Sequence, residues 1–149
     1  MNRSFHALLF FALCVPAATV QADPSAGTEK FGDYLIHYNA LSTQVLGADM
    51  ARQYSIERSP SRGMLNISVQ KVAADGTATP VAAEISGEAT NLTGQKSPIT
   101  IREIPDLYVS YIGLFKVVAP DTYTFTLSIK PAGSAQAYNL RFNQNFVGE

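Results

Sequence analysis

From Thr122 to Lys130, Tyr123, Phe125, Leu127 and Ile129 alternate without a break with Thr122, Thr124, Thr126, Ser128 and Lys130. Period two over this length puts every large apolar side chain on one face, which only an extended strand with one buried side satisfies. A slip of one residue would send the whole apolar set to water, so the segment specifies its own register. It also commits the chain to a second layer of structure, because a half-apolar strand has to cover that face with something.

Other segments repeat the pattern. Tyr138, Leu140 and Phe142 alternate with Asn139, Arg141 and Asn143, and Pro131-Ala132-Gly133-Ser134 supplies hairpin chemistry between this run and the preceding one. Upstream, Leu65, Ile67 and Val69 alternate with Asn66, Ser68 and Gln70, and Asp75-Gly76 is the turn that closes the strand. Val81, Ala83 and Ile85 oppose Glu84, Ser86 and Glu88, with Gly87 predicting a bulge. Ile99 and Ile101 form a short strand ended by Pro105, and Tyr34, Ile36 and Tyr38 form the first strand. Leu107 to Val118 is apolar on both faces, as a central strand covered from each side would be. Helical spacing occurs once, at Leu46, Met50 and Tyr54, and predicts a short helix over 48–54 that crosses from one sheet to the other. The expected fold is all-β, an immunoglobulin-like antiparallel β-sandwich of about seven strands with one short helix. The paired Cys and core Trp of antibody domains are absent.

The 149 residues suit one domain, and residues 1–22 read as a signal peptide ahead of it. Arg3 gives a positive start, Ala7 to Ala18 an apolar run, and Val20-Gln21-Ala22 a signal-peptidase site. The run is shorter than the roughly 20 residues of a membrane-spanning helix. Cys14 raises a lipidated alternative, but Leu13 stands where that processing needs a small residue. Cleavage after Ala22 leaves a domain of residues 23–149 without Cys, with ten basic against twelve acidic residues. An exported chain without disulfides is expected in a bacterial periplasm, with no membrane insertion after signal cleavage. A net charge of -1 for the whole chain offers no field for nucleic acid.

The parts of familiar catalytic sites are missing or isolated. His37 is the single histidine after residue 22, and no nucleophile-elbow pattern surrounds Ser59, Ser61, Ser110 or Ser128. Its place between Ile36 and Tyr38 suits a solvated strand face. Met50, Met64 and His37 are ligand types that Cu(I) accepts, although methionine serves far more often as core filler. Glu84 and Glu88 share a strand face about 13 Å apart, which suits neither glycosidase geometry. Asn66-Ile67-Ser68 and Asn91-Leu92-Thr93 match glycosylation acceptors, which a bacterial source leaves silent. The densest polar cluster is Arg58-Ser59-Pro60-Ser61-Arg62-Gly63, where two guanidiniums, hydroxyls and loop amides can hold a carboxylate or phosphate. Its ordinary reading is a turn with wet arginines.

Phe31-Gly32-Asp33-Tyr34 leading into His37-Tyr38-Asn39-Ala40 resembles the family called domain of unknown function 4426. The resemblance extends through Ala51 to Tyr54, Ile56 to Arg58-Ser59, and Gly63 with Leu65-Asn66-Ile67-Ser68-Val69. It implies a small exported protein of a Gram-negative bacterium and brings no catalytic residues with it. The functional expectation is a non-enzymatic binding or protein-interaction module without a cofactor. Its partner would be an envelope protein or a small anionic ligand, met by Arg58, Ser59, Ser61 and Arg62, with His37 a weaker contact. The alternative is an enzyme or copper carrier with an unfamiliar site.

Overall fold

The computed structural model describes residues 26–104 and 109–148; the expected signal peptide, Pro105 and Leu107 lie outside the described residues. The chain runs β1 (Ala26–Phe31), β2 (Tyr34–Ser42), a 3-10 turn (Thr43–Val45), α1 (Ala48–Gln53), β3 (Arg62–Val72), β4 (Ala78–Pro80), β5 (Ala83–Asn91) and β6 (Lys96–Pro98). It continues through β7 (Thr100–Ile104), β8 (Ser110–Lys116), β9 (Asp121–Pro131) and β10 (Tyr138–Phe146). One sheet has the order β1-β2-β3-β8-β7, with β4 also on β3, and the other has the order β10-β9-β5-β6. Every pairing is antiparallel. The molecule is the all-β sandwich that the alternation requires.

The apolar faces of β9 and β10 meet those of β2, β3 and β8 in one core. Phe125, Leu127, Ile129 and Leu140 are buried, while Tyr138 and Phe142 pack at its margin. Phe125 stacks on Phe142 with ring centroids 4.7 Å apart and meets the edge of Phe115 at 5.1 Å. The expected hairpin turn is closed by the Ser134 N–H donating to the Pro131 carbonyl at 3.0 Å, with Gly133 at φ 82°.

Ten strands appear among the described residues rather than about seven. The additional three, β1, β4 and β6, are short edge segments that carry little apolar periodicity. Thus Tyr34 opens the second strand, not the first. Gly87 forms no bulge, because β5 and β9 stay in unbroken register from Ala83↔Pro131 to Asn91↔Tyr123. Glycine is needed there for close approach: a Cβ would lie 2.5 Å from a Leu127 methyl and from the Thr126 carbonyl oxygen.

The helix is where the sequence placed it but does not cross between sheets. Both β2 and β3 belong to the same sheet, so α1 folds back over that sheet's outer face. There Leu46, Ala51, Ile56, Met64, Ile104 and Ile112 form a second, smaller core. Ala51 takes the buried helix position, and Met50, expected in the apolar stripe, is 50% exposed. This second core explains why β8 is apolar on both faces: Tyr111 and Phe115 point between the sheets, and Ile112 points under the helix. Ser55 ends the helix at φ 54°, with its N–H on the Arg52 carbonyl and the Ile56 N–H on the Ala51 carbonyl.

Candidate functional site

The arginine-serine cluster lies between α1 and β3 at one end of the sandwich. Thr43, the one buried polar residue among those described, fixes it in place. Its hydroxyl accepts from the Ser59 N–H at 3.0 Å and donates to the Ser59 carbonyl at 3.2 Å. The Ser59 hydroxyl accepts from the Ser61 N–H at 3.2 Å and lies 2.9 Å from the Ser61 hydroxyl. The Ser61 carbonyl accepts from the Val117 N–H at 2.9 Å, which ties the loop to the end of β8. These bonds hold the turn around Pro60 in one shape.

The structure separates the roles of the two arginines. Arg62 is the first residue of β3 rather than part of the loop, and its guanidinium pairs with the Glu57 carboxylate at 3.0 Å. Arg58 donates to the Gln44 carbonyl at 3.0 Å and has no carboxylate partner among the described residues. Directly across the sheet from Arg62 stands Lys116. Lys116 is exposed and also lacks a carboxylate partner among the described residues. Three cations therefore border this end, and one of them, Arg62, is paired with a carboxylate, Glu57. Asp121, at the same end, accepts from the Thr122 and Leu92 N–H groups.

Ser61 and Lys116 stand between two hollows. The larger, about 510 Å³, has apolar walls from Pro60, Val118, Pro120 and Val147 and polar groups from Ser42 and Gln44. The smaller, about 440 Å³, includes Arg62, Pro98 and Leu114. Val118 and Val147 are 56% and 78% exposed, so the larger hollow offers uncovered apolar surface beside positive charge. That combination accommodates an anion attached to an apolar body.

The family model for the domain of unknown function DUF4426 matches residues 28–149. The chain belongs to this family. A DUF4426 family protein from Pseudomonas aeruginosa PAO1, known from its crystal structure, shares 24% identity and superposes with a TM-score of 0.70. The match covers 84% of this chain and 97% of that one, a likeness of fold. No curated protein matches the chain. The DUF4426 match includes every candidate residue discussed here, but the family description assigns none of them a role.

Elsewhere in the DUF4426 fold, His37 stands apart from the arginine loop. Its cross-strand partner is Ser68, six positions along β3 from Arg62, or about 20 Å at the rise of a strand. Its ring nitrogens lie 2.8 Å from the Thr28 hydroxyl and 3.0 Å from the Gln70 side-chain oxygen, joining β1, β2 and β3. Met50 and Met64 line one hollow of about 180 Å³ beneath α1. Met64 sits four positions along β3 from Ser68, about 13 Å, so His37 does not complete a set with the two thioethers. Among the described residues no group of three or more His, Cys, Asp and Glu side chains is placed to hold a metal. Glu88 pairs with Lys96 at 2.7 Å.

At the opposite end, the Tyr111 hydroxyl accepts from the Ala83 N–H at 2.7 Å and lies 3.4 Å from the Glu103 carboxylate. Burial pushes its pKa up. This contact ties the two sheets together, since Tyr111 belongs to β8 and Ala83 to β5.

The sequence pointed to Arg58, Ser59, Ser61 and Arg62 through local density of polar groups, but not to Lys116 or Thr43. Lys116 closes an apolar run, which is a visible signal, yet its position opposite Arg62 depends on a pairing between distant segments. Thr43 has no distinguishing neighbour in the sequence.

Proposed function

We propose that this DUF4426 chain is an exported periplasmic binding module without catalysis, and that it takes an anionic ligand or an acidic patch of an envelope protein at the Arg58–Lys116 end. The observation that carries this reading is the register pairing of Arg62 with Lys116. Like charges directly opposite on antiparallel strands destabilise a sheet. Glu57 offsets only one of them, and Arg58 adds a third positive charge nearby. An anion between these groups relieves the repulsion, and the Pro60 turn, held by Thr43, loses little entropy on binding.

A charge-assisted contact contributes about 1.5–3 kcal/mol, so Arg58→Ala or Lys116→Ala should weaken binding roughly tenfold or more. The measurement is capture of partners from envelope extract, with sulfate and phosphate titrations alongside, after circular dichroism has shown that each variant folds. Variants that fold normally and keep every partner and anion affinity would reduce this end to a plain turn. Export itself is tested by mass spectrometry of protein from its native envelope. Asp23 should be the first residue, and a lipidated Cys14 would overturn that assignment.

A further inference from the structure

Single exposed apolar side chains are ordinary on a protein surface, but their gathering at one place is not. Among the described residues five large apolar side chains are at least half exposed: Val45, Met50, Leu92, Val118 and Val147. Four of them, all but Met50, stand on four separate loops at the Arg58–Lys116 end. Val118 follows β8, Val147 follows β10, Leu92 follows β5, and Val45 closes the 3-10 turn after β2. The registers bring these strand ends together: Ser42 pairs with Gly63, Arg62 with Lys116, Phe146 with Asp121 and Asn91 with Tyr123. Val118 and Val147 share the larger hollow, and the Leu92 N–H donates to the Asp121 carboxylate. The turns at the opposite end, 32–33, 73–77 and 132–137, expose no large apolar side chain among the described residues.

We infer that this end rests on the surface of an anionic phospholipid bilayer. Val45, Leu92, Val118 and Val147 then meet the acyl boundary, and Arg58 and Lys116 meet headgroup phosphates. Residue chemistry favours lipid over a protein partner. The exposed side chains are valine and leucine, which hydrocarbon takes up favourably but which are under-represented among the residues that dominate protein interfaces. The aromatic anchors usual in such interfaces are missing from the exposed set among the described residues. Charge fits the same surface. The nearby acids are engaged, Glu57 with Arg62 and Asp121 with backbone N–H groups, whereas Arg58 and Lys116 lack a carboxylate partner among the described residues. A basic side chain near an anionic leaflet adds attraction that fades within a Debye length. Both kinds of contact are needed, because one weak signal alone holds a protein to a bilayer only marginally. The strands end behind these loops, so the domain lies on the bilayer and does not cross it. This inference rests on the anion reading of the same end and names the anion as a lipid phosphate.

Vesicle flotation tests the inference, with protein taken from its native envelope and its first residue fixed by the mass spectrometry described above. Wild type should float with vesicles of phosphatidylglycerol mixed with phosphatidylcholine. It should float less with phosphatidylcholine alone, and less as salt rises. Leu92→Ser combined with Val147→Ser keeps every charge, and both side chains are exposed, so the core stays intact. The double substitution should weaken vesicle binding about tenfold and leave the binding of inorganic phosphate unchanged. Met50→Gln removes an exposed apolar side chain from α1, away from this end, and should change neither. Lys116→Ala should weaken both. Phosphate binding without flotation would overturn the bilayer assignment and leave the anion reading standing. Loss of both in wild type would end both. Equal flotation on neutral vesicles, or no difference between wild type and the double substitution, would also overturn the assignment. An envelope protein captured by wild type without flotation, and lost with the double substitution, would give the surface to a protein partner instead.

Discussion

The two cores are built on opposite faces of the same strands, β2, β3 and β8, yet they are packed to different standards. Between the sheets, Ile36, Leu65, Val69, Phe125, Ile129 and Leu140 are 0% exposed, and Phe115, Phe125 and Phe142 form a continuous web of rings. Under the helix, every buried member from Leu46 to Ile112 retains 5–7% exposure, and the covering element is six residues long. The first core has two sheets to close it. The second has a single short helix, fixed by a bond from Arg102 to the Tyr54 carbonyl. Ile56, a member of the smaller core, directly precedes the Glu57–Ser61 loop. The larger core is thus sealed from both sides, whereas the smaller one, closed by the helix alone, adjoins the loop that carries Arg58.

The largest test of that division is Phe125→Ala, which should cost about 3–5 kcal/mol of stability through lost burial and the cavity left behind. Urea unfolding measures it, and a loss below about 1 kcal/mol would mean that this ring is not central to the main core. Ile112→Ala should cost less, about 2–3 kcal/mol, because the short helix can settle into part of the space. It should also speed hydrogen exchange in the 57–61 loop and weaken anion binding, neither of which Phe125→Ala should do in the fraction that remains folded. Equal costs for the two substitutions, with no change in loop exchange, would erase the distinction. The smallest effect sharpens it. Ser55 holds a positive φ in the position where a helix exit favours glycine, so Ser55→Gly should raise stability by about 0.5–1 kcal/mol. An unchanged or lower midpoint would show that the Ser55 side chain offsets its backbone cost.

The difference between the cores also accounts for what could be read beforehand. The main core was legible because alternation at Tyr123 to Ile129 and at Tyr138 to Phe142 is a local property of each strand. The outer face of β8 announced itself too, since Ile112 and Leu114 leave no polar side to the strand. The helix's destination was not legible, because Leu46, Met50 and Tyr54 specify an apolar stripe without specifying the surface it meets. β1, β4 and β6 exist chiefly through backbone pairing with a neighbour, and such pairing leaves little trace in side-chain periodicity. The candidate site divided in the same way. Arg58 to Arg62 was visible as a cluster, whereas Lys116 joins it only through pairing across more than fifty residues.

That long-range pairing governs when the molecule can assemble. β3 lies between β2 and β8, so the inner flank of the larger sheet stays unoccupied until residues 110–116 have been made. β5 waits longer still, since its partner β9 spans residues 121–131. Neither sheet can close from the first two thirds of the chain, and non-local pairing of this kind is slow, on the order of milliseconds to seconds. During synthesis the polypeptide therefore carries hairpins but no completed layer. A chain in that condition remains threadable until the final strands lock the two halves together, which is the state the export proposed above would require.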